Sequence, residues 1–225
     1  MPDRAALILF LRYPERGAVK TRLAKDIGEE RACELYRCFL EDLNAAARGL
    51  PADRIVSAAG VRDPGASDLF DGCVHIPQRG ADLGERMHNA FADAFTRGYS
   101  RAVLVGSDIP SVTTELLDRA LARLAARDCV MGPAGDGGYY LIGFRRETPR
   151  RELFQGIGWS APRVFEDTRN RIIASGLSLA LVPALDDIDG LDDLRKFYHT
   201  HAGGDRAFHT LEYIRRNPGI LSGQH

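Results

Sequence analysis

The sequence predicts an α/β protein of three layers (α/β/α), in which a mostly parallel sheet lies between helices on both of its faces. Short strands that are apolar throughout alternate with longer amphipathic helices, which is the pattern of parallel strands covered on both faces. The stretch 102–144 shows this most clearly, because two of its strands end in Gly-rich or Pro-rich loops that carry an aspartate. The 225 residues, 44% of them hydrophobic, suffice for one domain over 1–225, with closing helices from about residue 191.

The elements are predicted in the following order. A first, central strand at 5–11 precedes a basic loop and a long amphipathic helix within 28–49. The connection that holds Pro64 and Gly65 is expected to be irregular, and Asp82 is expected to cap the helix that follows it. The remaining strands are predicted at 54–59, 74–76, 102–105, 129–131, 139–144 and 178–182, and the remaining helices near 113–124, 162–174, 191–201 and 206–216.

Composition argues against several classes of partner. The net charge is -1, with lysines and arginines spread along the chain, so no nucleic acid partner is expected. No apolar run approaches the length of a membrane span, and the start of the chain lacks a signal-peptide pattern. The four cysteines are expected to be buried free thiols, since their spacing fits neither a zinc site nor a C-x-x-C pair. The sequence thus predicts a cytoplasmic protein without a membrane span.

A loop rich in positive charge follows the first strand. Arg16, Gly17, Lys20 and Arg22 lie in it, directly beyond the strand end. Like charges gathered in a short loop repel one another unless an anion is bound, so the loop is predicted to bind a phosphate or diphosphate. The alternative is a solvated helix start. The loop is not a Walker A motif, because Val19 stands where that motif needs glycine, and the chain contains no Gly-x-Gly-x-x-Gly.

An aspartate stands where the strand at 102–105 ends, within Gly-Ser-Asp-Ile-Pro. Asp108 is predicted to bind Mg²⁺ or Mn²⁺, because these cations take oxygen ligands and commonly use one or two protein carboxylates together with substrate phosphates. Ser107, beside it, is predicted to contact the nucleotide phosphates. The alternative for Asp108 is structural: it would cap the helix that begins near Thr113 or close an Asx-turn.

A second aspartate lies in Gly-Asp-Gly-Gly between two strands. Asp136 is predicted to be a catalytic carboxylate or a substrate contact, and Gly137 and Gly138 are predicted to let the backbone pass close to the substrate. The alternative is a hairpin turn, of which Asp-Gly-Gly between strands is typical. The connection is longer than a tight hairpin requires, which favours the functional interpretation.

Two further positions are predicted to belong to the same site. Arg79 and Arg86 lie near the start of a helix and are predicted to point towards the basic loop, and Arg79 is predicted to be a phosphate contact. Asp186, Asp187 and Asp189 follow the last strand, and Asp189 is predicted to be a second metal ligand. Its alternative is that it begins the helix at Leu191, where acidic residues interact favourably with the helix dipole.

Together these motifs resemble those of a bacterial family of GT-A-like proteins of the nucleotide-diphospho-sugar transferase type. The matching stretches are 14–23, 80–87, 106–110, 132–143 and 154–160, in the family's order. The resemblance implies the GT-A fold and a divalent metal at Asp108, which stands in the place of the family's acidic metal motif. That motif would supply two aspartates, so Asp189 is expected to complete it. More distantly, the basic loop and the end around Asp189 resemble those of molybdenum cofactor and phospholactate guanylyltransferases.

Three hypotheses for function follow from these features. The first is glycosyl transfer from a nucleoside diphosphate sugar, assisted by Mg²⁺ or Mn²⁺, to an unknown small-molecule acceptor. The second is nucleotidyl transfer from a nucleoside triphosphate to a phosphorylated acceptor, with release of pyrophosphate. The third is a non-catalytic nucleotide-binding protein that keeps the fold. The apolar residues of the two closing helices are compatible with docking inside the chain and with a homodimer.

Overall fold

The computed structural model describes residues 4–61, 68–159, 161–204 and 207–223. Within these residues the predicted strands are all found, with ends displaced by a few residues. Their bounds are β1 Ala5–Arg12, β2 Asp53–Ala59, β3 Val74–Pro77, β4 Arg101–Gly106, β5 Cys129–Pro133, β6 Tyr139–Arg145 and β7 Leu179–Leu181. They form a sheet of seven strands in the order β3-β2-β1-β4-β6-β5-β7.

The sheet is mostly parallel, as predicted. Strand β1 pairs in parallel with β2 and β4, and β2–β3 and β5–β7 are parallel as well. Strand β6 runs antiparallel to both β4 and β5. The short link between β5 and β6 explains the reversal, because a parallel return needs a crossover of a dozen or more residues.

Helices cover both faces of the sheet, which confirms the three-layer prediction. Side chains alternate along β1, so that Leu7 and Leu9 pack into one core and Ala6 and Ile8 into the other. The helices are α1 Thr21–Ile27, α2 Glu29–Arg48, α3 Leu83–Thr96, α4 Thr114–Arg123, α5 Val164–Ala174, α6 Leu191–His201 and α7 Phe208–Arg216. One core is closed by α1, α2, α4, α6 and α7, and the other by α3 and α5.

Local capping sets several helix ends. Asp82 accepts a hydrogen bond from the backbone N–H of Glu85 at 2.8 Å, which confirms the predicted cap of α3. Helix α1 is separated from α2 by Gly28, whose φ of 87° ends the first helix. Helices α5 and α7 begin two residues later than the predicted 162 and 206. The predicted Pro64 and Gly65 connection, as well as Ser160 of the matched loop 154–160, lie outside the described residues.

The closing helices dock on the rest of the same chain. The buried carboxylate of Asp42 in α2 accepts hydrogen bonds from the backbone N–H groups of His209 and Thr210, each at 2.9 Å, and from the Thr210 hydroxyl at 2.6 Å. Leu211 and Ile214 are buried in the core beside α2. The apolar face of α7 is thus used inside the chain. Across the described residues, no helix is long and apolar enough to cross a membrane.

Candidate active site

A cleft of about 720 Å³ opens at the carboxyl edge of the sheet. Arg12 at the end of β1, Ala59 at the end of β2, and Ser107 and Asp108 after β4 line it, together with Asp136 from the β5–β6 loop. In open α/β sheets this edge is where ligands bind. The cleft therefore lies where the sequence predicted the site.

Lys20 places its ammonium group at the centre of the charged residues in this cleft. Its side chain is only 4% exposed, and Nζ contacts the carboxylate of Asp108 and lies 3.7 Å from Oδ1 of Asp189. Nζ also donates a hydrogen bond to the backbone oxygen of Ile188 at 2.8 Å. The backbone of Lys20 is left-handed, with φ 47° and ψ 43°. Such a conformation is unfavourable for a residue with a Cβ, and backbone strain of this kind clusters at functional sites.

The observed helix caps bear on the structural alternatives for the two predicted metal ligands. Helix α4 is capped by Thr113, whose hydroxyl accepts from the N–H of Leu116 at 3.3 Å, so Asp108 is not the cap. At the start of α6 the carboxylate of Asp193 accepts from the N–H groups of Asp189 and Gly190 at 3.1 and 2.8 Å. The Asp108 and Asp189 carboxylates instead face Lys20.

Backbone hydrogen bonds bring the distant segments of the site together. The N–H of Ile188 donates to the carbonyl of Asp108 at 3.0 Å, and the N–H of Gly135 donates to the carbonyl of Leu185 at 3.1 Å. The segment 185–189 is therefore tied both to the end of β4 and to the β5–β6 loop. This explains how three loops far apart in sequence present their carboxylates to one region.

Arg22 and Ser107 occupy the cleft in different ways. Arg22 is 78% exposed, and its Nη1 lies 3.3 Å from Oδ2 of Asp189. Ser107 is buried, and its hydroxyl shares a hydrogen bond of 2.9 Å with the hydroxyl of Tyr36. Tyr36 also donates to the carbonyl of Arg12 at 3.1 Å. Burial, and then the charge of Asp108, raises the pKa of the Tyr36 phenol, so this group is a neutral hydrogen-bonding support.

Asp136 lies in a hairpin connection and also faces the cleft. Its Oδ1 accepts from the N–H of Gly138 at 2.8 Å, which is the local turn contact of the structural alternative. Gly138 lines the cleft as well. Gly137 is needed for the shape of the loop. Its φ is 90°, and a Cβ at this position would stand 2.1 Å from the carbonyl oxygen of Pro162. Its own carbonyl accepts from Phe165 at 2.9 Å, which fixes the loop to the start of α5.

Asp187 is half-buried and also lines the cleft. Burial, followed by the charges of Asp136 and Asp189, raises the pKa of Asp187 to about 6. Asp186 faces away from the cleft and pairs with Lys196 at 2.7 Å. Of the three aspartates after β7, Asp187 and Asp189 therefore line the cleft.

Three predicted phosphate contacts are not brought to the cleft, whereas Arg86, predicted to point towards the basic loop, and Arg12, which was not predicted, line it. Arg79 bonds both carboxylate oxygens of Asp93 at 2.8 Å and does not line the cleft. Nε of Arg16 lies 3.6 Å from Oε2 of Glu29, and Gly17 forms part of the turn beside the Glu29 carboxylate. Arg12 and Arg86 line the cleft instead. The signal for Arg12 in the sequence is weak, because it is the last residue of a strand.

The residues present fit a hard divalent cation. Both Asp108 and Asp189 are directed at a single positive centre, the Lys20 ammonium, and carboxylate oxygens are the ligands that Mg²⁺ and Mn²⁺ prefer. Among the described residues, no group of three or more His, Cys, Asp or Glu side chains is disposed to hold a metal. Two carboxylates suit a cation whose remaining ligands come from a phosphorylated substrate and water.

The sheet order, the layers and the position of the cleft define a fold of the nucleotide-diphospho-sugar transferase type. Comparison with solved structures supports this class. A protein from Desulfovibrio desulfuricans G20, provisionally assigned as a nucleotide-diphospho-sugar transferase, has 36% sequence identity and a TM-score of 0.90, with coverage of 97% of this chain and 96% of its own. The chain belongs to the bacterial family described as "Uncharacterized protein conserved in bacteria (DUF2064)", which matches residues 42–161.

More distant structures share the fold alone. A CMP:2-keto-3-deoxy-manno-octonic acid synthetase complexed with CTP is 13% identical, with a TM-score of 0.56 and coverage of 88% of this chain and 98% of its own. Rv0371C from Mycobacterium tuberculosis H37Rv, in complex with manganese, is 17% identical, with a TM-score of 0.52 and coverage of 87% of this chain and 99% of its own. None of the curated protein sequences matches this chain.

Proposed function

We propose that the protein transfers a glycosyl group from a nucleoside diphosphate sugar to a small-molecule acceptor. The observation that carries the proposal is the convergence of Lys20, Asp108 and Asp189 at the carboxyl edge of the sheet. A buried ammonium group beside two partly exposed carboxylates can bind a diphosphate together with its metal ion. The same charged side chains on a solvated surface would bind it less well. The 36% identity to the provisionally assigned transferase supports the same interpretation.

The basic residues would hold the diphosphate. An ammonium group has three donors, and Lys20 uses one of them on the carbonyl of Ile188. In the proposal it exchanges its contact with Asp108 for a phosphate oxygen. Arg22, most of which is exposed, turns its guanidinium towards the same phosphates, for which its planar fork is suited. Ser107, supported by Tyr36, closes the phosphate side of the cleft.

Asp108 and Asp189 would hold Mg²⁺ or Mn²⁺. When bound, such a cation neutralises charge on the leaving phosphate. Before it binds, Lys20 compensates the charge of the two carboxylates. The manganese complex of a protein with the same fold makes Mn²⁺ a suitable first metal to test.

Asp136 is proposed as the group that receives the acceptor's proton. The acceptor oxygen forms a bond to the anomeric carbon of the sugar, and the bond from that carbon to the phosphate oxygen breaks. The hydroxyl proton passes to the Asp136 carboxylate, and the nucleoside diphosphate leaves with the bonding electron pair. Asp136 lies on the loop anchored through Gly137, so its position is fixed before substrate binds.

Nucleotidyl transfer is the second candidate, favoured by the number of cations in the cleft. Arg12, Lys20, Arg22 and Arg86 all line it, which is enough positive charge for a triphosphate. In that reaction an acceptor oxygen attacks the α-phosphorus and pyrophosphate leaves. The CTP complex of a synthetase with the same fold supports keeping this candidate.

A thermal-shift screen tests both candidates. Nucleoside diphosphates, their sugars and nucleoside triphosphates are each added with and without Mn²⁺ or Mg²⁺, since a ligand of the folded state raises the melting temperature. A metal-dependent shift with one diphosphate and its sugar supports glycosyl transfer and identifies the base. A shift with triphosphates alone, followed by pyrophosphate release on adding acceptors, supports nucleotidyl transfer. Binding without turnover of any donor supports a non-catalytic role, and no shift with any nucleotide overturns the proposal.

A further inference from the structure

A second cavity, of about 470 Å³, lies behind the carboxylates of the cleft. Arg22, Asp136, Asp187 and Asp189 line both spaces. Lys196, Thr200 and His201 of α6 line the second cavity alone, as do Ser111 and Gly135. These four shared side chains of the proposed active site thus separate two spaces, each large enough for a small ligand.

We propose that this second cavity is the acceptor site and that it takes a neutral, polyhydroxylated molecule of about monosaccharide size. This inference rests on the proposed function, because an acceptor site presupposes a transfer reaction. The acceptor must reach the reacting atom from a side that the nucleotide does not occupy. A cavity that shares Asp136 with the cleft, but is lined by neither Lys20, Ser107 nor Asp108, meets this requirement, with Arg22 lining both spaces.

The charge of the cavity decides the class of acceptor. Among the described residues two cationic side chains line it: Lys196 is paired with Asp186 at 2.7 Å, and Arg22, 3.3 Å from Asp189, is assigned to the donor phosphates in the proposed function. The carboxylates around it outnumber these cations, and they are Asp136, Asp186, Asp187, Asp189 and Asp193. Carboxylates accept hydrogen bonds from hydroxyl groups and repel phosphates. A phosphorylated acceptor is therefore disfavoured, whereas the hydroxyl groups of a polyol can donate hydrogen bonds to several of these carboxylates.

The α6 side of the cavity adds a pair of stacked aromatic rings. The rings of Phe197 and His201 stack with centroids 4.8 Å apart and an interplanar angle of 23°. The Nδ1 atom of His201 lies 3.0 Å from the carbonyl of Phe197, which holds the imidazole in place. Pockets for small molecules combine such rings with a few placed polar groups. In the proposal the C–H face of a sugar or cyclitol packs against the imidazole of His201, which is the more exposed of the two rings.

The class of acceptor can be tested with matched neutral and anionic probes. Glucose, myo-inositol and glycerol are compared with glucose 6-phosphate, inositol 1-phosphate and glycerol 3-phosphate by saturation-transfer difference NMR on the full chain. At least one neutral probe is expected to bind, and to bind better than its phosphate ester. Failure of all three neutral probes, or stronger binding of the esters, would overturn the proposal.

Substitutions at Thr200 locate the binding. Thr200 is exposed, lines the second cavity and is absent from the cleft. T200W should fill the cavity and weaken the neutral probe about tenfold, and T200K should shift preference towards the phosphate ester. H199W, at the neighbouring exposed position outside the cavity, is the control and should bind like the wild type. If T200W and H199W bind the neutral probe equally well, the probe does not bind in the second cavity, and the assignment is refuted.

The nucleotide screen, repeated on T200W, separates failure of this inference from failure of the proposed function. If T200W keeps the nucleotide shift of the wild type and loses the neutral probe, both proposals stand. If the nucleotide shift is present but the neutral probe binds T200W as well as it binds the wild type, the acceptor assignment alone is refuted. If neither protein responds to any nucleotide, the proposed function is lost, and the acceptor assignment is overturned with it.

Discussion

The Nζ atom of Lys20 lies 3.7 Å from Oδ1 of Asp189 and also contacts the carboxylate of Asp108, while its backbone is held in the left-handed region. The chain thus maintains an unfavourable backbone conformation at a position where an internal cation balances two carboxylates. Those carboxylates would otherwise repel each other at the end of β4. Here a divalent cation would compete with the ammonium group for the two carboxylates, whereas a phosphate would compete with the carboxylates for the ammonium group.

Asp108→Asn tests the metal assignment. The amide keeps the shape of the side chain but removes a charged oxygen ligand, so metal-dependent nucleotide affinity should fall by at least about tenfold. The measurement is the melting temperature with nucleotide, in the presence and absence of Mn²⁺. Asp118→Asn, at an exposed position on α4, is the matched control. An unchanged metal-dependent shift in the Asp108 variant would remove Asp108 from the site.

Lys20→Ala should move two affinities in opposite directions. Loss of the ammonium group leaves Asp108 and Asp189 without their shared cation, so Mn²⁺ alone should bind more tightly than to the wild type. The nucleotide should bind about tenfold more weakly, because a phosphate loses a charge-assisted contact. Titration calorimetry with MnCl₂ and with nucleotide measures both, and Lys25→Ala, exposed on α1, is the control. A fall in both affinities would contradict the idea that Lys20 and the metal share partners.

The parts of the structure that follow from local rules could be predicted from the sequence. The strand at 5–11 is apolar on both faces, and the Asp82 cap depends on contacts three residues apart. Asp108 could be found because strand ends in α/β sheets gather at one edge. Arg79 and Arg86 could not be told apart in this way, since only the tertiary contact with Asp93 turns Arg79 away from the cleft.

Tyr36 shows a second limit of sequence reasoning. It lies at helical spacing with the apolar residues of α2, and the sequence gives no sign that its hydroxyl reaches Ser107 and the end of β1. A core tyrosine and a site-supporting tyrosine have the same pattern. Only the packing of α2 against the sheet distinguishes them.

The pair Asp128 and Ser178, which links β5 to β7, should make stability depend on pH. The Asp128 carboxylate accepts from the Ser178 hydroxyl at 2.6 Å and from its N–H at 2.9 Å. The hydroxyl contact is the main cause that lowers the pKa of Asp128 below its ordinary value. A lowered folded-state pKa gives stability that is present above the unfolded pKa of about 4 and is lost as the pH falls through the folded value.

Asp128→Asn should therefore lower the melting temperature at pH 7, and the difference from the wild type should shrink below about pH 4. The control is Asp118→Asn, whose difference from the wild type should stay small throughout. A difference between the Asp128 variant and the wild type that is constant from pH 7 to low pH would show that the ionised carboxylate is not what stabilises this link.

Gly137→Ala tests whether the β5–β6 loop is held rigid for Asp136. A Cβ at this position would stand 2.1 Å from the carbonyl oxygen of Pro162, and the φ of 90° is itself unfavourable for alanine. The loop must shift, so the free energy of unfolding should fall by about 1–3 kcal/mol. Gly203→Ala is the matched control, since a Cβ there meets nothing within 4 Å. Because the same shift displaces Asp136, the turnover of the donor identified in the nucleotide screen should fall more than nucleotide affinity does. If turnover and nucleotide affinity fall together, the loop supports binding, and the assignment of Asp136 as the proton acceptor loses its structural basis.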